Sequence, residues 1–386
     1  MTNNIKLLIP IFSRANYSRC KSIIKSCSDY SIEPIIALGV SAVVTDFGDI
    51  SQECGAENIV VSYKIDTLLQ NKSNLNMVKT TSLTAIEIGN IINISKPDCV
   101  ITIADRHETI SSAIAASYMN IPLIHLQGGE PTGSIDDKVR NAIAQLSDYH
   151  LVCTQEAYAR TLRWGEDENR IFNVGCPSLD HVNLFETKSK ALEYLFLRID
   201  SKQLADSIAD DFVIFMYHPV TTEVFQDYDS LLKLVSEFCV ANKLNLIILH
   251  PNPDAGSESF RKSIHRLDQS FLNSPNLYTI TSHLSSDIYT AMLQASVMLV
   301  GNSSSGIREC SYLGVKVVNI GARQNLREQA SNVIDCKSTN DLKEALHIQF
   351  NSDQPPRSYL YGEGKSGALI AKTISTLNLS LKTTKY

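Results

Sequence analysis

Residues 125–140 read HLQGGEPTGSIDDKVR, which sets acids, an amide and two glycines directly after one apolar run. Glu130, Asp136 and Asp137 can carry charge or hold a proton, whereas the amide of Gln127 can do neither at neutral pH. Gly128 and Gly129 allow a backbone to approach a ligand closely or to take positive φ. A second acidic lip follows the run CVITIAD, where Asp105 is succeeded by Arg106, His107 and Glu108. A carboxylate there serves as a general base if burial raises its pKa, and Arg106 can pair with it or hold a phosphate. The same letters also fit a capped, ion-paired start of a helix over 108–119. Sequential strands are usually spatial neighbours, so Asp105, Gln127 and Asp136 are placed to converge.

Anion-binding chemistry is concentrated elsewhere. In VGNSSSGIREC an apolar run ends at Gly301, and Asn302, Ser303, Ser304 and Ser305 lead through Gly306 into a helical pattern. Hydroxyls and successive N–H groups at such a turn make a phosphate cradle. Glu309 on the following turn can accept both hydroxyls of a ribose, and Arg323 and Arg327 in GARQNLRE supply positive charge. Smaller signals are Arg14 and Ser18 in FSRANYS, His218 in YHPVT, Asn252, Asp254 and Ser257 in HPNPDAGSES, and His283 ahead of a helix. No G-K-[ST] follows the glycines and no G-x-G-x-x-G follows any strand, which disfavours ATP hydrolysis and nicotinamide binding.

The elements that must position these residues alternate short apolar runs with helical periodicity, the pattern of βαβ units around parallel sheets. Strands are expected over 6–11, 33–38, 99–103, 122–126, 150–153 and 170–174, then over 212–217, 244–249, 277–280, 296–300 and 316–320. Helices are expected over 17–28, 77–94, 108–119, 136–146 and 155–164, then over 230–241, 257–267, 286–295, 307–313, 340–350 and 365–377. The join falls in GCPSLD, residues 175–180, giving two α/β halves that face each other across a cleft. The first would span 1–177, completed by a C-terminal helix in 365–386, and the second 178–364. Ligands in such sheets lie beyond the carboxyl ends of the strands, where the residues above are found.

The bulk composition fits this reading. The chain has 386 residues, 44% hydrophobic and 20% charged, enough for two domains. A formal net charge of −6 leaves no basic surplus for a nucleic-acid footprint. Nine cysteines are scattered without a C-x-x-C pair, so reduced thiols of a cytoplasmic protein are expected rather than a disulfide or metal framework. The N-terminal run Ile5–Phe12 is too short to span a membrane and is a first buried strand.

Together these motifs resemble the hydrolysing UDP-N-acetylglucosamine 2-epimerases of sialic-acid and related nonulosonic-acid biosynthesis. The resemblance runs from about Lys6 to Leu377 and rests on SRANYS, ADR, the GGE–SIDD block, HPVTTE, PNPDAGS, GNSSSGIRE and GARQ. It implies two Rossmann-like domains in the glycosyltransferase-B arrangement, a homodimer, and no metal or cofactor. It further implies that Arg14, Ser18, Arg106, His218, Asn252, Ser303, Ser304, Glu309 and Arg323 hold the nucleotide diphosphate, and that Asp105 and Asp136 are catalytic. Asp137, Asp254, His283 and Gly306 join the binding candidates, and Glu130 and His218 the catalytic ones. The implied reaction removes the C2 proton, expels UDP from C1 to give a glycal, and adds water to leave the free 2-epimeric sugar.

Three positions depart from the family pattern. Gln127 stands where better-known members carry a catalytic Glu, Ser41 or Ala42 replaces a His in the LG-x-H loop, and Glu258 follows DAGS where the animal enzyme has Lys. Gln127 keeps several readings open. The leading one is hydrolysis of UDP-GlcNAc or a related UDP-2-acetamido sugar. The others are a UDP- or GDP-linked 2,4-diacetamido-trideoxy substrate, non-hydrolysing epimerisation, and nucleotide-sugar binding without turnover. Asp105 is expected to meet the C2 proton, with Asp136 in support and Gln127 as a neutral positioning group.

Overall fold

A computed structural model of the chain describes residues 4–45, 49–69, 73–103, 106–133, 136–218, 227–250, 257–270, 277–280 and 284–380. The chain forms two compact units: Met1–Pro131 with Ile135–Asp180 and Tyr361–Tyr386, and His181–Leu360 with Thr132–Ser134. Both are doubly wound α/β folds.

In the first unit the order is β1 (Ile5–Ile11), α1 (Arg14–Ser26), β2 (Ile32–Gly39), α2 (Ile50–Ala56), β3 (Tyr63–Ile65), α3 (Asn74–Ser95) and β4 (Cys99–Ile103). It continues with α4 (Ile110–Tyr118), β5 (Leu123–Leu126), α5 (Asp136–Leu146), β6 (Tyr149–Val152), α6 (Gln155–Arg163) and β7 (Ile171–Asn173). These strands build one parallel sheet in the order β3-β2-β1-β4-β5-β6-β7. Helices cover both faces, so strands such as CVITI and LIHL are buried along their whole length.

The second unit runs through α7 (Lys188–Phe196), α8 (Lys202–Ile208), β8 (Phe212–Met216), α9 (Tyr228–Ala241), β9 (Asn245–Leu249), α10 (Ser257–Ser270) and β10 (Leu277–Ile280). Then come α11 (Ser286–Ala295), β11 (Met298–Gly301), α12 (Ser304–Ile307), α13 (Glu309–Leu313), β12 (Val317–Ile320), β13 (Val333–Cys336) and α14 (Thr339–Asn351). Its parallel sheet has the order β10-β9-β8-β11-β12-β13. In each sheet the strand order reverses once, between β1 and β4 and between β8 and β11. Those reversals open crevices at the carboxyl edge, where doubly wound sheets bind ligands.

The chain returns to the first unit through α15 (Ser366–Thr376), which packs on α1. Gly367 permits the approach, since a Cβ there would fall 2.5 Å from Ser22 Oγ. Asp180, the last residue of GCPSLD, caps α15 by accepting from the N–H groups of Ser366 (2.9 Å) and Gly367 (2.5 Å).

Several expected elements change. The helix foreseen over 108–119 begins at Ile110, because Glu108 turns inward as a buried ion-pair partner. The helix foreseen over 307–313 is two short helices, α12 and α13, broken at the buried Arg308 (φ −100°, ψ −69°). The edge strands β3 and β13 and the helices α2, α7 and α8 have no counterpart in the sequence expectation. All nine cysteines are buried and unbridged. Among the described residues, no helix is long and apolar enough to cross a membrane.

Candidate active site

In each unit an asparagine side chain spans the crevice between the two strands at which the order reverses. In the first, Ser13 caps α1 by accepting from the Asn16 N–H, which fixes the turn after β1. Asn16, 2% exposed, then reaches across so that its Nδ2 donates to the carbonyl of Ile103 at the end of β4 (3.3 Å). In the second, Asn302 is fully buried after β11; its Oδ1 accepts from the His218 N–H (2.7 Å) and its Nδ2 donates to the His218 carbonyl (2.8 Å). His218 thus has its backbone held on both sides at the end of β8.

The seryl turn is built around that clamp. Gly301 has φ +145°, and a Cβ there would fall 1.9 Å from the Met216 carbonyl, so only glycine lets β11 run this close to β8. Ser303 caps α12; its Oγ lies 2.9 Å from Ser305 Oγ, which lies 2.6 Å from Tyr289 OH. Burial pushes the Tyr289 phenol above its ordinary range and keeps it a neutral hydrogen-bonding group. The Asn302 carbonyl accepts from Arg323 Nη1 (3.0 Å) and Gln324 Nε2 (3.0 Å), which draws the loop after β12 to the same strand ends. Glu309 opens α13, and its buried Oε2 has no hydrogen-bond partner among the described residues. Gly306 has a packing role instead: a Cβ would lie 2.9 Å from Val317 Cγ1, so glycine lets α12 sit on β12.

The acidic residues belong to the first unit. β4 and β5 pair in register, with Ile103 beside Leu126. Gln127 follows β5 at φ 69°, an uncommon left-handed conformation for a non-glycine residue, and its N–H donates to the Leu151 carbonyl (2.9 Å). Its side chain is 2% exposed, with Nε2 donating to Cys176 Sγ at 3.1 Å. Gly129 at φ +78° would place a Cβ 2.5 Å from the Ala157 carbonyl. Its own carbonyl accepts from Arg160 Nη1 (2.6 Å), which ties the loop to α6. Glu130 is buried, at 4% exposure. Asp136 and Asp137 open α5, and Asp137 pairs with Arg140 one turn on, a residue itself 1% exposed.

Other candidates are engaged differently from the sequence expectation. Arg106 Nε donates to Glu108 Oε1 (2.6 Å), and His107 Nδ1 lies 2.9 Å from Glu108 Oε2. Burial opposes charge on Glu108, but the adjacent Arg106 and His107 outweigh it and bring its pKa from about 4.5 down to about 2. Arg14 pairs with Glu53 of α2 at 3.0 Å, and Ser18 lies one turn into α1, where its Oγ donates to the Ala15 carbonyl. In the loop after β2, Ser41 Oγ donates to the Phe12 carbonyl (2.9 Å), and the preceding Val40 takes φ 54°. Asp105, Asn252, Asp254 and His283 lie outside the described residues. The clamping roles of Asn16 and Asn302, the Arg160 tether and the Cys176 contact carry no signal in the sequence.

The sequence signature of the UDP-N-acetylglucosamine 2-epimerase family matches residues 33–375. The chain belongs to this family. Over 384 residues it is 32% identical to the UDP-N,N'-diacetylbacillosamine 2-epimerase (hydrolyzing) of Legionella pneumophila, covering 97% of this chain and 96% of that protein. It is 30% identical to the GDP/UDP-N,N'-diacetylbacillosamine 2-epimerase (hydrolyzing) of Campylobacter jejuni, over 88% of this chain and 86% of the relative. The fold matches that of Methanocaldococcus jannaschii UDP-GlcNAc 2-epimerase, crystallised with UDP-GlcNAc and UDP, with a TM-score of 0.79 at 18% identity over 96% of this chain and 99% of the other. The two parallel-sheet units are therefore those of the UDP-sugar 2-epimerase family, in its glycosyltransferase-B-like fold.

Proposed function

We propose that this protein is a hydrolysing 2-epimerase of a UDP-linked 2-acetamido sugar, with UDP-N,N'-diacetylbacillosamine as the favoured substrate over UDP-GlcNAc. The observation that carries the reading is full-length similarity to the Legionella protein of that name, on a chain whose strand ends keep the acids and the seryl turn. A relative named for UDP-GlcNAc, from Neisseria meningitidis, is 26% identical over 334 residues.

In this reading the second unit holds UDP. Ser303, Ser304 and Arg323 meet the diphosphate, Glu309 accepts from the ribose hydroxyls, and His218 contributes from the clamped end of β8. The first unit meets the sugar. A carboxylate, Asp105 with Asp136 in support, takes the C2 proton, and the C1–O bond breaks with its electron pair leaving on UDP. A C1–C2 double bond results, and water then adds its oxygen at C1 and a proton at C2 on the opposite face. UDP departs well when cations and N–H donors meet the developing charge, whereas the weakly acidic C2 proton requires a placed base. Gln127 serves as an uncharged group that orients the sugar.

The test is incubation in deuterated water with the UDP- and GDP-linked diacetamido sugars and with UDP-GlcNAc, following nucleotide release and label at C2. Free, C2-deuterated 2-epimer plus UDP is expected, fastest with the UDP-diacetamido sugar. Label on a still nucleotide-linked sugar would mean non-hydrolysing epimerisation, and saturable binding without release would mean a binding protein.

The same reading includes a homodimer. Leu75 (61% exposed), Val78 (62%) and Ile86 (61%) of α3, with Tyr118 (86%) of the adjoining α4, leave an apolar surface on the first unit that a second copy would cover. Light scattering should give twice the chain mass, and Val78→Glu with Ile86→Glu should give the monomer.

A further inference from the structure

We propose that Cys176 is a positioning residue for Gln127, holding its amide in one orientation; the proposal rests on the epimerase reading above. Gln127 begins from a constrained backbone, at φ 69° with its N–H already donated to Leu151. Its Nε2 donates to Cys176 Sγ at 3.1 Å, and Sγ lies 3.0 Å from Ser178 Oγ. Gln127, Cys176 and Ser178 are 2%, 0% and 7% exposed, so water does not compete at the sulfur.

The sulfur is fixed from behind. The Cys176 N–H donates to the Tyr361 carbonyl at 2.7 Å. The preceding Gly175 sits at φ +73°, where a Cβ would lie 2.7 Å from Ser366 Oγ. Cys176 therefore stands where the chain leaves the first unit and is pinned to the segment by which it returns. A primary amide is planar with distinct ends: once Nε2 is committed to sulfur, Oε1 is turned away from it as an acceptor only. A carboxylate at 127 would bring no N–H to this sulfur and could only accept from its S–H, so the direction of this contact belongs to the amide. Cys176 then acts on the reaction through Gln127 and touches no substrate atom itself.

A double-mutant cycle on the full-length protein tests this, reading kcat/KM for UDP release from the UDP-diacetamido sugar or UDP-GlcNAc, whichever wild type turns over. Cys176→Ala should lower kcat/KM roughly threefold to tenfold, the range of one lost hydrogen bond. Gln127→Ala should cost at least as much, and the double variant should match Gln127→Ala alone. Cys176→Ser, which keeps an acceptor, should recover part of the loss. If Cys176→Ala does not fold, Cys176→Ser and Ser178→Ala complete the cycle from the other side of the sulfur. Losses that multiply in the double variant, or no loss from any change at 176, overturn the positioning role while the epimerase reading stands. A wild-type protein that releases no UDP from any of these sugars overturns both.

Discussion

Replacing Asn302 with Ala removes the side chain that ties the ends of β8 and β11 together. Two hydrogen bonds disappear, at 2.7 and 2.8 Å, and both leave a backbone group of His218 behind, the N–H and the carbonyl. Asn302 is fully buried and His218 5% exposed, so water has little access to compensate. A buried polar group deprived of its partner costs about 1–3 kcal/mol, so the pair should cost roughly 3–4 kcal/mol. In a unit of this size each kcal/mol moves the transition by about 2–4 °C, which gives a fall of roughly 6–15 °C. Calorimetry resolves this if the two units melt separately, and the lower shift should belong to the transition that UDP protects. The Asn302 carbonyl that receives Arg323 and Gln324 stays in the alanine variant, but the turn carrying it is no longer tied to His218, so UDP affinity by titration calorimetry should fall with stability. Asn302→Asp should be worse, because it keeps the acceptor for the His218 N–H but sets an anionic oxygen against the His218 carbonyl. A shift under 2 °C with unchanged UDP affinity for Asn302→Ala would refute the clamp.

Three further outcomes follow from the site. Glu108 has its folded pKa depressed to about 2, so its stabilising contribution is complete above about pH 4.5 and is lost as pH falls toward 2. Acid unfolding of wild type should steepen across that window, and Glu108→Gln should be less stable at pH 7, by roughly 3 kcal/mol, with a flatter acid limb. Arg323→Met should weaken UDP binding about tenfold to a hundredfold and reduce its salt dependence, as loss of a charge-assisted contact does; titration calorimetry at two ionic strengths checks it, and a change under twofold would count against the assignment. Asp136→Asn should lower kcat for UDP release by about a hundredfold or more while leaving UDP affinity within twofold, the signature of a lost acid–base group; unchanged kcat in a discontinuous release assay would remove Asp136 from the chemistry.

Much of this fold is written in local sequence. Parallel strands covered on both faces become continuous apolar runs, and the turns after them hold the glycines, acids and serines that mark the carboxyl edge. What local sequence hides is short or marginal: β3 has three residues with one buried, and β13 is an edge strand with Asp335 exposed. The break at Arg308 is invisible for another reason, since a buried arginine between two helical turns reads as ordinary amphipathic periodicity. Partners at long range are the largest loss. Asn16 gains meaning only because β1 lies beside β4, and Asn302 only because β8 lies beside β11. Neither pairing is between consecutive strands. In sequence Cys176 is one of nine inert thiols; the fold brings it to Gln127, 49 residues away along the chain.

The arginines show how far such partners alter a functional reading. By sequence alone Arg14, Arg106 and Arg323 are equal candidates for a diphosphate. Two of them face carboxylates in the folded chain: Arg14 meets Glu53, and Arg106 meets a Glu108 that is fully buried and held ionised. An arginine so paired offers an incoming anion far less net field, because the acid beside it cancels most of the attraction. Arg323 differs, for its hydrogen bond runs to the neutral carbonyl of Asn302 and no described carboxylate forms an ion pair with it. Its charge therefore remains available at the strand ends where the seryl turn also points donors. Among the acids of the first unit, Asp137 is paired with Arg140 in the same way. In the proposed reading, net charge after pairing, more than residue type, separates the groups offered to UDP from those that hold the scaffold.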